Sequence, residues 1–220
     1  MRSVNLAAKI AVAFWLINKN NTGLHTFCFL APSMPGFRRF IPTKLNDYKL
    51  IAKESTGTLA QQRQGLTQLL VDAGWPAPTK EDSGRPRMGN AFCSLSHGGG
   101  WVAAVRGNRP IGVDVEGATE RLNRARRRFV GSADQPILNH FGDNLNTLCR
   151  LWTAKEAVFK AFGTGVDFLT GIEWNEVSAD GARLTATTQG VCLELKWMQL
   201  QSKTGTAWLA VASEIPKKPA

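Results

Sequence analysis

The chain has 220 residues, 43% hydrophobic and 20% charged. That balance excludes a disordered or collagen-like chain and is enough to bury a core without disulfides. The 27 Lys and Arg against 17 Asp and Glu leave a formal charge of +10 and a pI near 9.9, a field that favours nucleic acid, an anionic membrane, a phosphorylated small molecule or an acidic protein as partner.

Near the start, Arg2 and Lys9 precede an apolar run from Ile10 to Ile17. The run is about half the length of a membrane span and has no small-x-small cleavage site after it, so it reads as a buried strand or short helix. Residues 31–47, rich in Pro, Arg and Phe, read as loop. Leu59, Leu66, Leu69 and Leu70 fall near helical spacing, and Gly74 with Pro76 ends that helix. Residues 76–91 carry Pro76, Pro78, Gly84, Pro86 and Gly89 and read as a second loop.

Trp101–Val105 and Ile111–Val115 read as two strands of a hairpin turning at Gly107-Asn108. Arg121–Phe129 reads as a basic helix, and Thr147–Phe162 as the clearest helix, closed by Gly163 in a left-handed cap. Strand-like runs follow at 182–188, 191–200 and 206–213, with turns at Gln189-Gly190 and Thr204-Gly205. Mixed helices and hairpins predict an α+β fold. The four cysteines, Cys28, Cys93, Cys149 and Cys192, form no C-x-x-C pair and read as free thiols of a reducing cytoplasm.

Three groups of residues carry chemistry. In the strand Ile111–Val115, alternation sends Ile111, Val113 and Val115 to the core and Gly112, Asp114 and Glu116 to the other face. Two carboxylates about 6–7 Å apart repel unless a cation or proton intervenes, and they suit Mg²⁺ better than zinc. The bland alternative is a solvated strand face. Ser96-His97 with Gly98-Gly99-Gly100 precedes the hairpin, whose register would bring it beside Glu116. Glycine there would let a phosphate approach the backbone. The alternative is a flexible turn. Neither a G-x-S-x-G elbow nor a P-loop is present.

The third group lies on the helix 148–162. Leu148, Leu151, Trp152, Val158, Phe159 and Phe162 form an apolar stripe, with Glu156 and Lys160 paired at i,i+4 on its flank. Lys155 projects into the stripe, where a lysine must snorkel or meet an anion.

Gly84-Arg85-Pro86, Ser96-His97, Gly112-x-Asp114-x-Glu116, Trp152-x-x-Lys155-Glu156-x-x-x-Lys160 and Gly163-x-Gly165 stand in this order. Together they resemble the Sfp-type 4′-phosphopantetheinyl transferases, over roughly residues 50–215. The resemblance implies two similar α/β halves in pseudo-two-fold arrangement, 1–108 and 109–220, meeting near residues 107–111 around a cleft. It implies transfer of the phosphopantetheine arm of coenzyme A to a serine of an apo acyl or peptidyl carrier, releasing 3′,5′-ADP. By resemblance Asp114, Glu116 and Glu156 hold Mg²⁺ (or Mn²⁺), and Glu156 is the general base. Lys160 and His97 stabilise the pyrophosphate, and Arg85, Ser96, His97, Lys155 and Lys160 contact coenzyme A. The family's second arginine in its Arg-x-x-x-Arg helix is Thr67 here, with Arg63 as the substitute one turn earlier. The partner implied is an acidic carrier met by a cytoplasmic monomer, with no membrane or nucleic acid. The competing reading is a basic nucleic-acid-binding protein, resting on Arg121, Arg124, Arg126, Arg127, Arg128 and the net charge.

Overall fold

In a computed structural model, residues 40–216 are described apart from 46–47, 83, 164 and 179–182. The apolar run 10–17 lies outside the described residues. The first sheet has six strands in the order β1-β2-β6-β5-β4-β3. These are β1 (Phe40–Leu45), β2 (Tyr48–Glu54), β3 (Thr79–Lys80), β4 (Pro86–Met88), β5 (Ala91–Gly98) and β6 (Trp101–Gly107). The second is β7-β11-β10-β9-β8, from β7 (Ile111–Gly117), β8 (Glu173–Val177), β9 (Arg183–Thr188), β10 (Val191–Ser202) and β11 (Gly205–Glu214).

Helix α1 (Leu59–Asp72) separates β2 from β3, and α2 (Glu120–Ala125), α3 (Gln135–Phe141) and α4 (Leu145–Phe162) separate β7 from β8. Each half therefore runs strand, helical segment, then a four-strand meander whose last strand pairs with the first. The fold is α+β in two similar halves, as expected, with β1 as an extra edge strand.

Continuous apolar stretches explain the layering, because strands buried on both faces lose the usual alternation. In β6, Trp101, Ala103 and Val105 face the second sheet while Val102 and Ala104 face α1. In β11, Ala207, Leu209 and Val211 face the first sheet while Trp208, Ala210 and Ala212 pack with α4. The layers are helix, sheet, sheet, helix, and Ile111, Val113 and Val115 lie in the central seam as expected. The equivalent hairpin tips of the two halves meet there, where Ser202 Oγ donates to the Gly99 carbonyl at 3.1 Å.

Three expectations change. β6 and β7 do not form a hairpin: β6 already uses both edges, on β2 and β5, while β7 pairs with β11. The turn at Gly107-Asn108 is instead the crossing between sheets, and Pro110 follows it with no N–H to offer a ladder. Residues 40–45 of the first expected loop form β1, and the second contains β3 and β4, short enough for Pro and Gly to hide. The basic helix is α2 followed by a 3₁₀ turn at Arg126–Arg128.

The long helix and the last three strands fall where expected. Gly163 caps α4 at φ 85°, ψ −142°, a positive φ outside the left-handed helical well.

Candidate active site

The site forms where α4 crosses β7. Gly112 makes that crossing possible by its size: a Cβ there would stand 1.9 Å from the Ala157 carbonyl oxygen and 2.7 Å from the Ala161 nitrogen. Its φ is negative, so conformation is not the reason. Glycine on the strand and alanine at 157 and 161 on the helix let the backbones touch, which carries Glu156 and Lys160 up to Asp114.

Lys160 does not pair with Glu156. Its ammonium is 2.7 Å from Asp114 Oδ1 and donates to Ser96 Oγ at 3.1 Å. The Ser96 hydroxyl donates to Asp114 Oδ1 at 2.8 Å. The charges on α4 therefore answer to β7 and to the other half of the molecule before they answer to each other.

Three carboxylates sense one another. Burial raises Glu156 above the usual carboxylate range, and the Asp114 charge raises it further against the opposing pull of Lys160. Burial also raises Glu116, partly offset by the Gly117 N–H that its own side chain accepts at 3.0 Å. Among the described residues no three acids, histidines or cysteines are gathered tightly enough to grip a metal as they stand. The Asp114 carboxylate is turned to Lys160 and Ser96. An oxygen-only set of mutually repelling carboxylates in a half-buried site nevertheless fits a hard divalent cation such as Mg²⁺, and not zinc.

The other expected residues divide. Arg85 joins the site's edge: a Cβ on Gly163 would be 3.1 Å from its Nε and Nη2, so the guanidinium lies against the end of α4. His97 and Ser96 separate. Ser96 stands opposite Ala103, on the seam face, while His97 stands opposite Val102, on the face that α1 covers. Arg63 is exposed on α1.

Lys155 is not free for a coenzyme phosphate. It is 1% exposed, and its ammonium donates to Asp134 Oδ2 at 2.7 Å, to the Phe129 carbonyl at 2.7 Å and to the Phe168 carbonyl. Asp134, fully buried, also accepts from Trp174 Nε1 and the Gly131 N–H. The anion that the lysine needed is inside the protein. Sequence spacing could not find Asp134, twenty-one residues away and outside every motif.

An open cleft of about 320 Å³ lies beside Glu156, lined by Arg128, Phe159, Val166, Asp167, Phe168 and Leu169. The Lys155 bonds to Phe129 and Phe168 anchor the two segments that wall it. Phe159, counted in the apolar stripe from its spacing, is 38% exposed at its edge.

Residues 110–211 match the 4′-phosphopantetheinyl transferase superfamily. The stretch holds three of the five motifs, those of β7, α4 and the glycines after it. The chain is 34% identical over 83 residues to the 4′-phosphopantetheinyl transferase ffp of Bacillus subtilis, covering 37% of each protein. It is 31% identical over 126 residues to 4′-phosphopantetheinyl transferase HetI of Nostoc sp., covering 52% of this chain and 53% of HetI. It is 28% identical over 90 residues to 4′-phosphopantetheinyl transferase gsp of Aneurinibacillus migulanus, with 40% of this chain and 38% of gsp aligned. The aligned part thus spans about half or less of these curated relatives. The resemblance to the 4′-phosphopantetheinyl transferases holds, and it is carried by the half of the chain that bears the carboxylates.

Proposed function

We propose that this protein is a Mg²⁺-dependent 4′-phosphopantetheinyl transferase that uses coenzyme A to activate an acyl or peptidyl carrier protein. The observation that carries the reading is the junction of β7, α4 and β5. It gathers Asp114, Glu116, Glu156 and Lys160 from two motifs and Ser96 from a third.

In the reaction, the carrier serine Oγ attacks the phosphorus that bears pantetheine. The Oγ–P bond forms, the bond from that phosphorus to the bridging pyrophosphate oxygen breaks, and 3′,5′-ADP departs with the electron pair. Glu156 takes the serine proton. Its burial and the neighbouring Asp114 charge make it a stronger base than an exposed carboxylate. Lys160, on Asp114, and Arg85, at the end of the same helix, supply positive charge where the leaving oxygen becomes negative. Asp114, Glu116 and Glu156 would hold the divalent cation, which supplies further neutralisation of the pyrophosphate. His97, on the α1 side with Arg63, serves the nucleotide end of coenzyme A in this reading.

In this reading β5 from the first half and β7 with α4 from the second frame the site, the halves dividing near residue 108. Exposed Arg124 and Arg127 offer an acidic carrier a basic rim, whereas Arg126 is held by both oxygens of Asp143. Buried free thiols at Cys93 and Cys149 suit a reducing cytoplasm. Among the described residues no helix is long and apolar enough to cross a membrane. A monomer suffices, since one chain supplies every named residue. The test is incubation with Mg²⁺, coenzyme A and a panel of apo-carriers, each then weighed for one added phosphopantetheine. A panel left wholly unmodified rejects the reading.

A further inference from the structure

β7 is an edge strand of the second sheet, with β11 on one side only. The N–H groups on its open edge need partners, because a buried unpaired donor costs about 1–3 kcal/mol. No strand among the described residues supplies them. β5, from the other sheet, does so with side chains: Ser94 Oγ accepts the Val113 N–H at 3.1 Å and Ser96 Oγ accepts the Val115 N–H at 3.2 Å. Both serines are buried. The next residue in the same row is Gly98, where a Cβ would stand 2.3 Å from the Val115 carbonyl oxygen. The row Ser94, Ser96, Gly98 is thus two hydroxyls and a gap, matched to one strand edge.

The Ser96 hydroxyl is fully used. A hydroxyl has one donor and two acceptor lone pairs. Its proton goes to Asp114, and its lone pairs take the Val115 N–H and the Lys160 ammonium. Nothing remains for a coenzyme phosphate unless Asp114 is released.

We propose that Ser96 and Ser94 are positioning residues, with Ser96 orienting the Asp114 carboxylate and Ser94 fixing the strand that carries it. Ser96 acts inside the protein and not on coenzyme A, which parts from the role the resemblance gives it. The proposal rests on the transferase reading for its consequence in catalysis, but its test does not depend on turnover. Groups that orient a metal's carboxylate typically change metal affinity 10–100-fold when removed.

The experiment titrates Mn²⁺ into wild type, Ser96→Ala, Ser96→Thr and Ser94→Ala by electron paramagnetic resonance, without coenzyme A. Coenzyme A binding is measured separately, without divalent cation, by calorimetry. Ser96→Ala should bind Mn²⁺ at least about tenfold more weakly, and coenzyme A within about twofold of wild type if its hydroxyl serves Asp114 alone. Ser96→Thr keeps the hydroxyl and should restore most of the Mn²⁺ affinity. Ser94→Ala should melt earlier and lose less Mn²⁺ affinity than Ser96→Ala, since it reaches Asp114 only through the strand. A merely structural hydroxyl would lower the melting temperature and leave the Mn²⁺ affinity of the folded protein unchanged. That result, or weakened coenzyme A with unchanged Mn²⁺, or no Mn²⁺ binding by wild type, overturns the proposal. Failure of wild type to modify any carrier, with the Mn²⁺ pattern intact, would instead reject the transferase reading alone.

Discussion

Gly112→Ala tests the crossing that builds the site. The added methyl would lie 1.9 Å from the Ala157 carbonyl oxygen, about 1.4 Å short of an ordinary C···O contact of about 3.3 Å. The obstacle is helix backbone on one side and a strand paired to β11 on the other, so no side chain can swing away. Helix α4 must lift by about an ångström, and overpacking of this kind costs about 1–3 kcal/mol. The larger effect falls on chemistry, because the lift separates Glu156 and Lys160 from Asp114. A misplacement of about 1 Å costs about a hundredfold in turnover. The assay is a thermal melt together with single-turnover transfer, measured well below the variant's melting temperature. Wild-type turnover with a wild-type melt would mean that α4 does not seat on β7 as described.

Other outcomes are equally definite. Lys155→Met strands a fully buried Asp134 carboxylate and should cost about 3–5 kcal/mol, read in urea melts, whereas a coenzyme ligand would raise the coenzyme A KM with little change in stability. Burial raises the Cys149 thiol to about 12 and the Cys93 thiol to about 11. An unfolded thiol ionises near about 8.5, so their contribution is complete below that pH and is lost as pH climbs towards 12. The urea midpoint should therefore fall between pH 8.5 and 11, and fall less in the double Cys→Ala variant. Arg124→Glu with Arg127→Glu should raise the carrier KM severalfold and flatten its salt dependence, leaving coenzyme A affinity unchanged in calorimetry.

How much of this was legible in the sequence depended on whether the cause was local. The helix 145–162 and the strands from 183 onward follow from periodicity and turn residues, and both were visible. The alternation in β7 correctly sent Val113 and Val115 to the core. It placed Asp114 and Glu116 on the face that meets α4.

The partner of β7 was not visible. A two-residue turn before Ile111 looks like a hairpin, and only the competition of β2 and β11 for strand edges decides otherwise. Ser96 does lie beside β7, but its hydroxyl reaches across two sheets and no hairpin ladder carries it there. Helical spacing paired Lys160 with Glu156, but the close approach at Gly112 offered a nearer carboxylate. Lys155 was legible as a problem, a cation in an apolar stripe. Its solution, Asp134, was a matter of tertiary structure.

The most direct measurement compares wild type with Glu156→Gln in single-turnover transfer from coenzyme A to an apo-carrier, with Mg²⁺ present and products weighed by mass spectrometry. The substitution keeps the side chain's shape and removes its charge, and a half-buried position on the flank of α4 should leave folding intact. Wild type should add one phosphopantetheine per carrier, and the variant should do so at least about a hundredfold more slowly. Equal rates in the two proteins, with matching circular dichroism, would contradict the assignment of Glu156 as base and with it the mechanism derived from the junction of β7 and α4.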